Sequence, residues 1–200
     1  LPQVILHPNF QHFDINEVEP VIQLATPKCN DYWVISGRSV PSKNLLFSIR
    51  SFLKSQQSKL KVFCRETTDK NDEYVQIRQL SEENKNRIEF YGNRPQSELF
   101  SALLGAKGYI FSSKMESCGL AAFEAVSAGC PVIYSCLDSQ FFLETCEENR
   151  FVPRRIVSKY SEAIDSINIT LKDKKRIKKT MENKWSSEAF GERLRKAIGV

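Results

Sequence analysis

Between Tyr32 and Pro153 short apolar runs alternate with amphipathic stretches, and that rhythm restricts the fold more than any other feature. The runs are YWVISG, KLKVFC, RIEFYGN, GYIFSS, PVIYSC and RFVP. Most are apolar almost without interruption, as suits strands covered on both faces. The intervening segments read as helices. Leu45, Leu46, Ile49, Phe52 and Leu53 share one helical face. NDEYVQIRQLSEENK is polar and expected to be exposed, and PQSELFSALLGA is framed by Pro95 and Gly105. A further helix stops at Gly129, and SQFFLETCEEN completes the series. Strand followed by helix, six times over with short connections, implies a parallel sheet in an α/β fold. Ligands of such sheets collect where the strands end at their carboxyl sides. Gly37-Arg38, Arg65, Gly92-Asn93-Arg94 and Ser112 to Gly119 all fall at those ends.

The expected architecture is a three-layer Rossmann-like parallel sheet of about six strands, with helices on both faces and a helical C-terminal tail. Residues 1–30 contain Pro2, Pro8, Pro20 and Pro27 around the strand-like VILHPNF and read as an interdomain strand or linker. Residues 31–156 form the ligand-binding domain. Residues 157–200 are charged and helical, and Trp185, Phe190 and Leu194 are expected to pack them back onto it. Within this tail KDKKRIKK (172–179) reads first as a solvated helix face, and second as a surface for anionic lipid or a phosphate-bearing acceptor.

A chain of 200 residues with 41% apolar and 26% charged residues is of ordinary globular composition and needs no disulfide staples. A net charge of +5 is well short of a nucleic-acid-binding arm, so no nucleic-acid partner is expected. No apolar run approaches the roughly 18 residues of a membrane span. LPQVILHPNF lacks the basic start and longer apolar core of a secretory leader. A first residue of Leu1 rather than Met suggests a fragment of a longer protein. The cysteines, at 29, 64, 118, 130, 136 and 146, form no C-x-x-C pair and read as free thiols in a reducing compartment, hence the cytoplasm. His7 and His12 have no third ligand residue near them and read as structural or surface residues; no metal site is expected. The sequon at Asn168 is of a kind that arises by chance.

The chemistry concentrates in FSSKMESCGLAAFEAVSAGCPVIY, residues 111–134. Ser117, Cys118, Gly119 and Leu120 open a helix whose free N–H groups attract anions. Gly119 admits a ligand close to the backbone. In the loop SGRSVPSKN, Arg38 and Lys43 follow the first strand, beside Gly37, and two cations there suit a diphosphate. Neither G-x-G-x-x-G nor the Walker pattern is present, so side chains rather than a glycine cradle would hold it. Glu116 and Glu124 flank the same helix start. Carboxylates beside an anion site make sense if the ligand also carries vicinal hydroxyls. The neighbours of Glu124 are Ala121, Ala122, Phe123, Ala125 and Val126, so its carboxylate is expected to be partly buried and in need of partners.

GR…KN, then RIEFYGN…ELFSAL, then IFSSKMESCGLAAFEAVSAGCPVI, with Glu-x7-Glu, a Gly after the first Glu and the E-A-x-x-A-G-x-P-V-I run, resembles the group 1 retaining glycosyltransferases of GT-B architecture. The resemblance covers about residues 4–155, and the terminal helices more loosely, and corresponds to the C-terminal, donor-binding half. It implies transfer of a hexosyl group, with retention, from a UDP-, GDP- or ADP-linked sugar to a saccharide or lipid-linked acceptor, in polysaccharide or glycolipid assembly. Arg38 and Lys43 would stabilise the leaving diphosphate and Glu116 would hold the transferred sugar. Backbone amides around Cys118, Gly119 and Leu120 would contact sugar or phosphate, Glu124 the ribose, and Asn93 and Arg94 would lie near the base. No metal or other cofactor is implied. Peripheral contact with the inner membrane surface is a further expectation. An N-terminal acceptor domain would be missing, so the chain alone is expected to bind nucleotide and to transfer little or no sugar. Departures from the family pattern are Glu-Ser-Cys-Gly at the loop, Pro8-Asn9-Phe10 in place of Pro-Asn-Gly, and LDSQFF after the fifth strand. Competing readings are a GT-B-type sugar-nucleotide epimerase or phosphorylase, and a non-catalytic nucleotide-binding scaffold. A receiver-like signalling domain would need an acidic cluster where Gly37-Arg38 stands.

Overall fold

The computed structural model of the chain describes residues 27–67, 72–116, 119–135, 143–144, 146–153 and 155–186, with 189, 192 and 195. Ser117, Cys118, Cys136, LDSQFF, the side chains of Phe190 and Leu194, and everything expected of residues 1–26 lie outside these.

The strands are β1 (Trp33–Arg38), β2 (Leu60–Arg65), β3 (Ile88–Phe90), β4 (Gly108–Phe111), β5 (Val132–Tyr134) and β6 (Arg150–Phe151). All neighbouring pairs run parallel, in the order β3-β2-β1-β4-β5-β6. The helices among the described residues are α1 (Leu45–Lys54), α2 (Asp72–Glu83), α3 (Gln96–Gly105), α4 (Leu120–Ser127), α5 (Val157–Ser166) and α6 (Leu171–Trp185). Helices α1, α2 and α5 pack on one face of the sheet and α3, α4 and α6 on the other. The expected doubly covered α/β sheet is therefore the fold.

The central strands are buried because both their faces carry apolar side chains: Trp33, Val34 and Ile35 of β1, Val62 and Phe63 of β2, Tyr109, Ile110 and Phe111 of β4, and Val132 and Ile133 of β5. Helix α2 buries only Ile77 and Ser81, in keeping with its polar sequence. Helix α5 docks on α1 through an edge-to-face contact of Phe47 with Tyr160, ring centroids 5.0 Å apart. Trp185 packs on the core, as expected of the tail.

Two expectations need correction. The described part of SQFFLETCEEN is not α-helical: Leu143 and Glu144 form a short 3-10 turn, and Glu147 and Glu148 an ordinary turn. Asn149 explains why. Its Nδ2 donates to the Leu143 carbonyl at 2.7 Å and its Oδ1 accepts from the Val132 N–H at 2.8 Å, so a side chain takes over backbone groups near the sheet. The basic run 172–179 is also not simply a solvated face. Lys172, Lys175 and Lys179 are exposed, but Lys174 and Lys178 fall with Ile177 and Met181 on the inward stripe of α6. Lys174 is fully buried, and its ammonium donates to the carbonyls of Leu104 at 2.8 Å and Ala106 at 2.5 Å, with Leu103 at 3.5 Å. A long apolar stem thus carries a cation to the negative end of α3. Gly129, at φ 78°, lets this happen: a Cβ there would lie 2.5 Å from the Lys174 carbonyl oxygen.

Candidate active site

Strand order reverses between β1 and β4. The chain leaves β1 toward one face of the sheet and β4 toward the other, and a switch point of this kind is where doubly wound sheets have their ligand crevice. The loop after β1 carries Lys43 and Asn44, and the loop after β4 carries Ser112 to Glu116. Backbone and hydroxyl bonds sew them together. The Lys114 N–H donates to the Ser42 carbonyl at 2.7 Å, and the Ser112 hydroxyl donates to the Asn44 carbonyl at 2.9 Å. The Ser48 and Ser112 hydroxyls are 2.6 Å apart in the buried floor. Asn44 sits in the left-handed region at φ 57°, a conformation asparagine tolerates, and this turns the chain into α1.

Across this seam the Lys43 ammonium donates to the Glu116 carboxylate, forming an ion pair. Glu116 is the more enclosed partner, its side chain 10% exposed against 25% for Lys43. Arg38 ends β1 in register with Arg65 at the end of β2, and both are exposed. Gly119 starts α4 at φ 65°, followed by Leu120 as the first helical residue. The opening N–H groups of that helix have no acceptor within it, as at any helix start.

Glu124 is 7% exposed, as its apolar neighbours required. Burial pushes its carboxyl up to about 7, and a hydrogen bond from Gln96 opposes that rise. The Gln96 Nε2 donates to Glu124 Oε1 at 2.6 Å. Beneath lies Tyr109, whose phenol meets the Ser36 hydroxyl at 2.8 Å and the Ser36 carbonyl at 3.2 Å. Burial keeps that phenol protonated, and Glu124 and Glu116 oppose its ionisation further.

Several expected site residues are thus brought together. Lys43 touches Glu116; Gly119, Leu120 and Glu124 occupy the start of α4; Gly37 and Arg38 end the neighbouring strand. Asn93 and Arg94 are exposed at the end of β3, two strands from β1, and Arg94 donates to the Tyr91 carbonyl at 3.0 Å. Gln96 and Tyr109 were not foreseen. Only Gln96 left a trace in the sequence, as the polar first residue of a helix after Pro95, and nothing local shows which carboxylate it would meet. Among the described residues no three His, Cys, Asp or Glu side chains are grouped to hold a metal, and no helix is long and apolar enough to cross a membrane.

This arrangement defines a doubly wound α/β domain with a cluster of polar side chains at its topological switch point. The sequence model of the family described as Glycosyl transferases group 1 matches residues 22–193, and the chain belongs to that family. Curated protein sequences yield no match. Similar solved structures share the fold at low identity. A TarM variant of S. aureus, in complex with Fondaparinux, alpha-GlcNAc-glycerol and UDP, superposes with a TM-score of 0.65 at 17% identity over 85% of this chain and 36% of its own. The pneumococcal O-GlcNAc transferase GtfA, in complex with UDP and GlcNAc, gives 0.64 at 15% identity over 86% and 36%. The catalytic domain of cholesterol-alpha-glucosyltransferase from Helicobacter pylori gives 0.58 at 20% identity over 81% and 99%. The chain spans about 36% of TarM and of GtfA.

Proposed function

We propose that this chain is the donor-binding half of a retaining glycosyltransferase, and that the crevice between β1 and β4 receives a nucleoside-diphosphate sugar. The observation that carries the reading is the Lys43–Glu116 pair beside the start of α4, with Glu124 buried on the same helix. A diphosphate entering the crevice draws the Lys43 ammonium from Glu116 onto its own oxygens, with Arg38 as a second cation. The helix start adds backbone donors at Gly119 and Leu120. Glu116, released, accepts hydrogen bonds from hydroxyls of the transferred hexose. Glu124 accepts from the ribose diol, and Asn93 and Arg94 lie on the base side.

When the bond from the anomeric carbon to the diphosphate oxygen breaks, negative charge grows on the leaving group. In this reading Lys43, Arg38 and the helix start stabilise it, and no metal is required. The sugar passes with retention to a saccharide or lipid-linked acceptor held by a further domain. The chain alone therefore binds nucleotide but transfers little or no sugar. The relatives bound to UDP support a nucleotide donor, and WaaG, described as involved in lipopolysaccharide biosynthesis, supports a role in glycoconjugate assembly. The free thiols at Cys29, Cys64 and Cys130 fit a cytoplasmic location, with peripheral membrane contact for a lipid-linked acceptor.

Calorimetric titration with UDP, GDP and ADP, then with their sugars, with and without EDTA, tests the reading. Binding of one diphosphate, unchanged by EDTA, is expected. Absence of binding to all three sinks the donor site, and binding that collapses with EDTA sinks its metal-free form.

A further inference from the structure

The buried carboxylate at Glu124 is held by a residue from outside its own helix. Gln96 is exposed while Glu124 is almost enclosed, and the two meet at 2.6 Å, so Gln96 covers the solvent side of the carboxylate. Gln96 opens α3 directly after the loop Tyr91–Pro95. Pro95 presets the entry at φ −54° and ψ 146°, which fixes where the Gln96 side chain starts. We propose that Gln96 is a positioning residue: its carboxamide anchors Glu124 Oε1, leaves the second oxygen to accept from a vicinal diol, and ties that carboxylate to the loop after β3. This rests on the donor reading and deepens it, because it links the base side of the crevice to the ribose side.

The chemistry supports the assignment. A carboxylate offers about four lone-pair sites, and the amide of Gln96 satisfies one of them. A buried carboxylate with capacity left on its other oxygen favours a ligand that brings two adjacent hydroxyl donors. The Gln96 donor also favours the ionised form that such a ligand needs.

The other titratable groups described around α4 are neutral or engaged elsewhere. From β4, Tyr109 is neutral and bonded to Ser36; from β5, burial keeps Tyr134 protonated. From α3, Glu98 faces Arg94 at 3.9 Å. From α6, Lys174 serves the carbonyls at the end of α3, and Lys178 faces Glu182 at 3.6 Å.

The experiment compares the wild-type chain with Gln96→Ala and Gln96→Glu. Each is titrated with UDP, GDP and ADP and with their 2′-deoxy counterparts, between about pH 6 and 9. The side-chain carboxyl carbon of Glu124 is followed by NMR in the free protein over the same range. In Gln96→Ala, affinity for the ribonucleotide falls about tenfold and that for the deoxynucleotide by less than about twofold. The Glu124 midpoint moves to higher pH in the same variant, and further in Gln96→Glu, where a second carboxylate opposes ionisation. Gln96 is exposed, so neither variant loses the fold, which circular dichroism checks. A wild-type preference for ribonucleotide that Gln96→Ala leaves intact, with an unmoved midpoint, overturns the role of Gln96 alone. Failure of the wild type to bind any ribonucleotide overturns the donor reading instead.

Discussion

Replacing Glu124 by Gln should stabilise the unliganded protein at alkaline pH while weakening nucleotide binding. Burial raises the Glu124 carboxyl from its usual range to about 7. A raised carboxyl holds its proton in the native state at pH values where the unfolded chain has released it. Between about pH 4.5 and 7 the native state therefore binds more protons, and stability falls as pH rises through that window. A rise of that size corresponds to up to about 3 kcal/mol, present in full below the window and lost above it. The introduced glutamine carries no charge to desolvate, and its carbonyl can still accept from Gln96. The variant should then match wild type near pH 4 and exceed it by up to about 3 kcal/mol at pH 8, or about 6–12 °C in Tm for a chain of this size. Glu73, raised by burial, and Asp173, lowered by its bond from Thr170, also contribute to the overall pH profile. Both are common to the two proteins, so the difference between them isolates Glu124. Urea unfolding at several pH values is the assay. A difference that stays flat between pH 5 and 8 would refute the argument that burial, not partner loss, controls this carboxyl. Weaker ribonucleotide binding by the more stable variant would mark the charge as retained for function.

Lys174→Met removes the cation that serves three carbonyls at the end of α3 and keeps the apolar stem, so it should cost about 2–4 kcal/mol in urea unfolding; a neutral outcome would show that those carbonyls find other donors. Lys43→Met breaks a partly exposed pair and should change stability by at most about 1 kcal/mol, while diphosphate affinity falls at least about tenfold. Calorimetry reads the second effect, and unchanged affinity would remove Lys43 from the phosphate site.

The layering of this protein was readable from local pattern because each strand and helix carries its own hydrophobic period, and six alternations allow few arrangements other than a parallel sheet with two helical coats. The helix start at Gly119, the burial of Glu124 among alanines, and the cations after β1 were legible for the same reason: each is a property of a few adjacent residues. Contacts between distant segments were not. Gln96 meets Glu124 across 28 positions, and Lys43 meets Glu116 across 73. Strand order brings these pairs together, and strand order is decided by which crossovers cover which face of the sheet. The basic run of α6 makes the point most plainly. Its composition is that of a solvated surface, yet Lys174 is fully buried, because only in the assembled fold does the negative end of α3 lie within reach of its ammonium.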